Sequence, residues 1–416
     1  GIAGNVAAYK LRQDHDVTVF ESGAYVGGHT NTVDVDEAGT SHPVDTGFIV
    51  FNDHTYPNFI SLLDEIGQES QPSVMSFSVQ QQETGLEYAG SSLNALFAQR
   101  RNLLRPAFYR MLRDILRFNK EALPDTDALD DSETSGAYFS KKNYGREFID
   151  HYLVPMAAAI WSAEPVAVLD MPIRFLVRFF ANHGLLQTSG RPTWRVIKGG
   201  SREYVRKLVA GHHDRIRLNS PVQSIRRVGS NIELRSASGG KESFDYVFVA
   251  CHSDQALRLL ADPTAAEREV LGAIRYQKNE AILHTDAALM PTRRLAWAAW
   301  NYHIPQDQER HVAVTYNMNI LQGLNTRKDY LVTLNNDQDI DPGKVIQRIQ
   351  YEHPVFSREA IGAQRRQAEV NCDRTFFCGA YWRNGFHEDG VVSALNAVRH
   401  FEERLSNAQL HLRRAS

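Results

Sequence analysis

The first residues of the chain constrain its fold most strongly, because a glycine turn, a helix, a strand and an acidic residue follow in order. Gly1–Gly4 read Gly-Ile-Ala-Gly, and the residues after them carry small and apolar side chains at helical spacing. The apolar run Val17–Phe20 suits a buried parallel strand, which Glu21 ends. This order is the second half of a dinucleotide-binding fingerprint. In such a fingerprint Gly1 approaches a pyrophosphate, Gly4 lets the helix pack closely on a strand, and Glu21 binds an adenosine ribose.

The strand and the first glycine that should precede Gly1 are missing from this sequence. That strand should be central in the sheet, so its loss would expose apolar neighbours and remove part of the phosphate cradle. We therefore expect a truncated form of a longer enzyme. If the natural protein begins at Gly1, we expect a cofactor-free binding protein or a fragment instead.

A second glycine pair follows the acidic residue, within Ser22–Thr30 (SGAYVGGHT). Here the chain resembles the flavin-containing amine oxidase and phytoene desaturase superfamily, which has an R-x-G-G-R element at this point. Gly27 and Gly28 match the two glycines of that element. Tyr25 and His29 stand in its arginine positions, so the phosphates would lack the charge assistance of two guanidinium groups. The resemblance implies FAD as the cofactor.

The far end of the chain resembles the same superfamily. The short strand Thr375–Gly379 is followed by Gly385–Val398 (GFHEDGVVSALNAV), which we interpret as a loop ending at Asp389 and then a helix. The family's matching segment puts a helix N-terminus against the pyrimidine end of the flavin, where free N–H groups stabilise negative charge. Gly385 and Glu388 match this pattern, while Asp389 replaces the usual glycine. A helix cap alone is the alternative interpretation.

The middle of the chain supplies a third block. Trp194–Leu208 reads as a strand, a glycine turn and a helix, and Asp245–Ala250 resembles the family strand that rejoins the cofactor-binding sheet. The step Pro221–Arg226 resembles the place where a valine backbone meets the adenine, so Val222 is the candidate contact. The resemblance as a whole implies that FAD is bound by the following residues: Gly1, Ala3, Gly4, Glu21, Ser22, Gly27, Gly28, His29, Thr30, Val222, Gly379, Phe386, His387 and Glu388.

These blocks predict an α/β fold with a Rossmann-like FAD-binding domain that is built from discontinuous segments. The segments are residues 1–60, 192–262 and 368–416. Residues 61–191 and 263–367 should form a mixed-sheet and helical substrate domain.

Catalytic candidates are weak in this sequence. Amine oxidases often carry a lysine that holds a water near flavin N5, and Lys278 lies in a suitable region, although a surface lysine explains it better. Tyr381 and Trp382 have the position of the family's aromatic pair, although packing explains them equally well. His387 lies beside the predicted flavin site. The sequence contains no H-E-x-x-H spacing and only three cysteines, so we expect no metal.

One stretch of the substrate domain suggests a partner. Residues 99–120 combine helical apolar periodicity with an excess of arginine, as in helices that lie on anionic membranes. A solvated helix face over the core is the alternative that we favour. The apolar runs Phe148–Trp161 and Met171–Phe180 either line a substrate cavity or are buried helices.

We expect two-electron dehydrogenation, with a hydride passing to flavin N5, of a small apolar molecule such as a fatty-acyl or isoprenoid compound. Oxidation of a C–N bond, as in amine oxidases, is the alternative, and a non-catalytic flavin-binding protein is a further one. Within the superfamily the chain looks most similar to bacterial predicted NAD/FAD-binding proteins with G-H-T-N-T and G-F-H-E-D-G motifs. The net charge of -3 argues against nucleic acid as a partner. The few cysteines and the lack of a membrane-spanning run predict a cytoplasmic protein, and a position peripheral to the inner membrane surface is the alternative.

Overall fold

The computed structural model describes residues 1–129, 131–187, 190–305 and 313–415, with side chains as far as residue 407. The last residue of the predicted segment 368–416 lies outside the described residues. None of the described helices is both long enough and apolar enough to cross a membrane.

The described chain contains both helices and strands. The α-helices are α1 (Ile2–Leu11), α2 (Pro57–Glu65), α3 (Leu93–Leu96), α4 (Pro106–Asp127), α5 (Ser135–Lys141), α6 (Arg146–Phe148), α7 (Val154–Trp161), α8 (Pro165–Asp170), α9 (Ile173–Asn182), α10 (Arg202–Val209), α11 (Ser253–Leu259), α12 (Ala265–Gly272), α13 (Met318–Gln322), α14 (Arg358–Gln364), α15 (Gln367–Val370) and α16 (His387–Ala415). The strands are β1 (Val19–Phe20), β2 (Thr32–Glu37), β3 (Thr40–Asp45), β4 (Val50–Asn52), β5 (Ser70–Pro72), β6 (Phe77–Gln81), β7 (Leu86–Ala89), β8 (Trp194–Ile197), β9 (Ile216–Arg217), β10 (Val222–Val228), β11 (Asn231–Ser236), β12 (Lys241–Phe244), β13 (Val247–Val249), β14 (Tyr276–His284), β15 (Trp300–Ile304), β16 (Ala313–Asn317), β17 (Leu331–Leu334), β18 (Val345–Pro354) and β19 (Thr375–Phe377).

A mixed sheet of seven strands, in the order β18-β14-β17-β16-β15-β6-β7, forms one side of the molecule. Only β15 and β6 run parallel, and the other neighbours are antiparallel. Side chains of this sheet share the largest apolar core with those of α4, α7 and α9. The runs Phe148–Trp161 and Met171–Phe180 contribute many fully buried side chains to that core.

The other side of the molecule is built around α1. Two short parallel pairs, β1 with β9 and β13 with β19, belong to separate sheets. Helix α1 packs close to its neighbours because glycines allow it: a Cβ on Gly4 would lie 3.0 Å from the Cβ of Ala250, and one on Gly390 would lie 2.5 Å from Ile2 Cγ2. Helix α1 is therefore held between the β13 side and α16, as its glycines predict.

The structure confirms the predicted α/β class with a large mixed sheet and a helical layer. One boundary differs from the prediction, because α16 begins at His387 rather than after Asp389. The reason is that the Asp389 carboxylate accepts a hydrogen bond from the backbone N–H of Phe386 over 2.9 Å, which caps the helix from within its first turn.

Candidate cofactor cleft and active site

A cleft of about 1190 Å³ runs between the α1 side of the molecule and the seven-stranded sheet. This volume lies above the usual range of about 300–1,000 Å³ for small-molecule pockets, as an extended dinucleotide requires. The cleft also reaches β1 and β13, the strands of the two separate parallel pairs. All residues predicted to bind the cofactor line this cleft except Thr30 and Glu388.

The glycine turns form a crowded cradle in this cleft. Gly28 has a φ of +62°, and a Cβ added there would lie 3.1 Å from Gly1 Cα. A Cβ on Gly27 would lie 2.3 Å from the carbonyl oxygen of Thr30. Helix α1 begins directly after Gly1, so its unpaired N–H groups face the same cleft. Backbone donors without side chains in front of them suit a pyrophosphate.

The predicted ribose acid lies at the end of β1. One Glu21 carboxylate oxygen accepts a hydrogen bond from the backbone N–H of Gly23 over 2.9 Å, which fixes the orientation of the side chain. The backbone N–H of Glu21 donates a hydrogen bond to the Arg217 carbonyl. The backbone carbonyl of Glu21 accepts one from the N–H of Ser220. Val222 follows closely and also lines the cleft. The predicted adenosine contacts are therefore brought together, and their role in binding stays a prediction.

A second helix N-terminus opens into the cleft at His387. The Nε2 atom of His387 lies 2.7 Å from the Tyr204 hydroxyl and 3.1 Å from Thr30 Oγ1. Its ring stacks on Phe48 at 3.5 Å between centroids. Burial lowers the pKa of His387 to about 3, so the imidazole is neutral at physiological pH. Thr30, Tyr204 and His387 thus form one buried hydrogen-bonded group, and the contact of Thr30 with the cofactor stays a prediction.

The side chain of Glu388 has a structural role that the sequence did not predict. Its carboxylate accepts hydrogen bonds from the backbone N–H of Asn58 at 3.1 Å, from the Asn58 side chain at 2.6 Å and from the N–H of Phe59 at 2.8 Å. It therefore caps the N-terminus of α2 and is not among the residues that line the cleft, which gives no support to the predicted contact of Glu388 with the flavin. The motif could not show this, because the first turn of a helix presents side chains in several directions.

Three histidines that are distant in sequence gather at the cleft. The ring of His29 lies 5.2 Å from that of His353 and 6.4 Å from that of His252, and it stacks on Tyr351 at 4.7 Å. The Nε2 atom of His29 is buried and has no hydrogen-bond partner among the described residues. Burial lowers the pKa of His29 well below its ordinary value, and His353 lowers it further. The described residues contain no group of three or more side chains that could hold a metal.

The tautomer of His353 follows from its neighbours. Asn335 donates its side-chain N–H to Asn279 Oδ1 over 2.6 Å, and Asn279 Nδ2 lies 2.7 Å from His353 Nδ1. The amide nitrogen can only donate, so His353 Nδ1 accepts and Nε2 carries the hydrogen. Burial lowers the pKa of His353 to about 4. His353 therefore presents a neutral hydrogen-bond donor at the cleft.

Of the catalytic candidates predicted from the sequence, Tyr381 and His387 line the cleft, and Lys278 and Trp382 do not. Lys278 is exposed and does not line the cleft: its neighbour Asn279 pairs with Tyr351, so Lys278 points to the opposite face of the sheet. The alternative prediction, a surface lysine, is confirmed. Trp382 is buried in the apolar core, and only Tyr381 of that pair lines the cleft. His387 lines it as well, as described above.

The seven-stranded sheet and the helices over it contribute an apolar section of the cleft. The side chains of this section are those of Ile160, Trp161, Trp300, Tyr316, Leu334 and Phe356. Trp300 and Tyr316 pack edge to face with centroids 5.1 Å apart. The Nε1 atom of Trp300 is buried and has no hydrogen-bond partner among the described residues.

The cleft thus combines a glycine cradle, a ribose acid on a strand end, two helix N-termini and an apolar section beside them. These features define an FAD-dependent oxidoreductase, in which the cofactor carries the redox chemistry and the protein supplies binding and orientation.

Comparison with known proteins supports this class. The model of the family of flavin containing amine oxidoreductases matches residues 2–298, and the chain belongs to that family. A search of curated protein sequences found no match. The family establishes FAD as the cofactor and confirms the prediction of an FAD-dependent oxidoreductase.

Solved structures with the same fold include enzymes of different chemistry. Cyclohexylamine oxidase from Brevibacterium oxydans IH-35A has a TM-score of 0.68 and 15% identity, covering 97% of each chain. The CLA-producing fatty acid isomerase from P. acnes has a TM-score of 0.67 and 14% identity, covering 96% of each chain. A putative protoporphyrinogen oxidase from Exiguobacterium sp. 255-15 has a TM-score of 0.66 and 16% identity, covering 98% of this chain and 97% of that one. These similarities concern the fold.

Proposed function

We propose that this oxidoreductase dehydrogenates an apolar substrate of the fatty-acyl or isoprenoid class. The proposal rests on the apolar section of the cleft, the six side chains that include Ile160 and Phe356. This section lies in the same cleft as the glycine turns. Carboxylates among the described cleft residues are Asp16, Glu21, Asp245 and Glu352. Glu352 bonds to His252 over 3.1 Å, and none of the four belongs to the apolar section. A cationic substrate would find no counter-charge there.

Each part of the chain has a definite task in this reaction. FAD, when bound, accepts the hydride that the substrate loses, and the substrate proton passes to solvent. The apolar section orients the substrate and excludes water from it. Trp300 has a buried indole N–H to offer, so a substrate with one hydrogen-bond acceptor, such as a carboxylate or thioester oxygen, satisfies it. His353 Nε2 supplies a second donor at the cleft.

Oxidation of an amine is the second candidate function. The edge-to-face pair of Trp300 and Tyr316 presents aromatic surface that attracts an alkylammonium group by a cation–π interaction. Two of the enzymes with this fold are named for amines, putrescine oxidase and cyclohexylamine oxidase. The family name points the same way.

Anaerobic titration of the FAD-loaded protein distinguishes these two functions. We expect oleic acid or an oleoyl thioester to bleach the visible absorbance of the bound flavin, and putrescine or cyclohexylamine to leave it unchanged. Bleaching by the amines alone would contradict the apolar substrate and establish the amine oxidase. Bound flavin that none of these compounds reduces would contradict both and favour a non-catalytic role.

A further inference from the structure

Exposed apolar side chains are concentrated on one part of the surface. Among the described residues, six of the thirteen large apolar side chains that are exposed lie between residues 93 and 123. Leu104 is 88% exposed and Leu116 is 61% exposed, which are values expected for polar side chains. Clustered exposure of this kind marks an interaction site more often than scattered exposure does.

Helix α4 has two apolar faces. One face is buried in the largest core through Phe108, Met111, Phe118 and Ala122. The other lies on the opposite side of the helix and is exposed. Together with Leu103 and Leu104, which precede the helix, we call it the basic apolar face, and its residues within α4 are Tyr109, Arg113, Leu116, Lys120 and Leu123. Within α4 these residues recur every three or four positions, so they form one stripe along the helix.

The charge of this region is strongly positive. Between residues 100 and 120 there are seven arginines and lysines and a single carboxylate, Asp114. Asp114 is buried, where it accepts a hydrogen bond from the N–H of Gly145 over 2.9 Å. Arg110 pairs with Glu147, and Arg117 pairs with Glu121. Arg113 lies 3.4 Å from Asp114 and is still 70% exposed, and Lys120 is exposed as well.

We propose that the basic apolar face binds the surface of a membrane containing anionic lipids. Leucines at this spacing enter the boundary between headgroups and acyl chains, while the long arginine and lysine side chains reach the phosphates. A tyrosine in the stripe suits the headgroup level. The centre of a protein interface is depleted of charge, whereas in this face cations alternate with apolar side chains from Tyr109 to Leu123. Charge complementarity therefore selects an anionic lipid surface as the partner.

Sedimentation with lipid vesicles tests the proposal on the FAD-loaded protein. We expect binding to vesicles of phosphatidylcholine mixed with phosphatidylglycerol, weak binding to phosphatidylcholine alone, and release as salt is raised. The variant Arg113→Gln/Lys120→Gln should bind at least about tenfold more weakly, because each cation near an anionic surface contributes about fivefold. The variant Leu104→Ser/Leu116→Ser should also lose binding. The matched control Arg206→Gln/Leu295→Ser changes exposed residues elsewhere and should bind like the native protein.

Equal vesicle binding by the native protein and both face variants would overturn the proposal, as would an absence of binding by the native protein. Sedimentation velocity without lipid tests whether a second copy of the chain covers the basic apolar face instead. If the native protein self-associates and the face variants do not, while neither binds vesicles, the face joins two copies of the chain and the lipid proposal is wrong. These measurements require no turnover, so their outcome is separate from that of the substrate titration.

Discussion

The carboxylate of Glu388 accepts a hydrogen bond from the backbone N–H of Phe59 over 2.8 Å, although 329 residues separate them in the chain. Glu388 lies in the first turn of α16, and Phe59 lies in the first turn of α2. Two helix N-termini are thereby linked by one side chain. This fixes the start of α16, where His387 faces the cleft, to the helix that follows β4.

Replacement of Glu388 by alanine should lower the free energy of unfolding by about 2 kcal/mol, because it leaves buried N–H groups of α2 without an acceptor. Urea unfolding of the apoprotein measures this loss. Glu388→Gln keeps one acceptor oxygen and should lose less. If Glu388→Ala unfolds like the native protein but binds FAD weakly, the side chain contacts the cofactor after all and the capping role is wrong.

The glycine cradle predicts a defect in cofactor binding when a methyl group is added. Gly28→Ala places a Cβ 3.1 Å from Gly1 Cα, inside the cleft, and should raise the FAD dissociation constant by at least about tenfold. Gly229→Ala is the matched control, because Gly229 has a similar φ of +57° but nothing within 4 Å of the added Cβ. Both variants carry the same backbone strain. Quenching of FAD fluorescence measures the affinity, and equal affinities in the two variants would contradict the cradle.

Trp300 provides a test of the apolar section of the cleft. Trp300→Phe keeps an aromatic ring and removes the buried N–H, so KM for an oleoyl substrate should rise about fivefold with little change in kcat. Trp297→Phe is the control: the Trp297 Nε1 donates to the Pro291 carbonyl over 2.7 Å, outside the cleft-lining residues. A fall in kcat with unchanged KM for Trp300→Phe would show that this indole does not bind substrate.

Buried histidines predict acid sensitivity. Burial lowers the pKa of His183, His284 and His353 to about 4 and that of His387 to about 3. Each of these groups binds a proton in the unfolded chain below its ordinary pKa of about 6.5, while the folded chain stays unprotonated. Stability should therefore fall as pH drops from about 6.5 to about 4.

Two buried carboxylates act in the opposite direction over part of this range. Burial raises the pKa of Asp45 and that of Asp389 to about 6, so between about pH 4 and pH 6 the folded state binds these protons more strongly than the unfolded state. The histidines are more numerous, so the net effect remains a loss on acidification. Urea midpoints across this pH range measure it. His183→Phe keeps the stacking on Phe179 and should flatten the profile, and an unchanged profile would contradict the assignment.

Local motifs were enough to predict most of the glycine and strand-end residues that line the cleft. Gly28 and Glu21 were found from the sequence because turn, helix and strand follow each other within a short stretch, and each carries its own spacing. His252 and His353 were missed because no pattern relates them to His29. His353 lies on β18, while His252 precedes α11 and stacks on Tyr276 of β14, so the three histidines meet only through tertiary packing.

The direction of side chains at helix ends also could not be predicted from the sequence. The motif predicted Glu388 in the loop before a helix, whereas it lies in the first turn of that helix and its carboxylate binds a helix from a different segment of the chain. The exposed stripe of α4 was only partly visible in the sequence. Its periodicity predicts an amphipathic helix, but which apolar residues are covered depends on how the helix packs against α9 and the residues near Phe148.

The parallel pairing of β13 with β19, in which Val247 lies opposite Thr375, has a consequence for biosynthesis. During synthesis, the seven-stranded sheet and the helices that pack on it leave the ribosome before β19 does, because those elements end at residue 354. Strand β19, which pairs with β13, and helix α16 emerge after those elements. Contacts that span such long sequence separations form slowly. We therefore expect the cleft to be completed only after α16 has emerged, because His387, the first residue of α16, lines it.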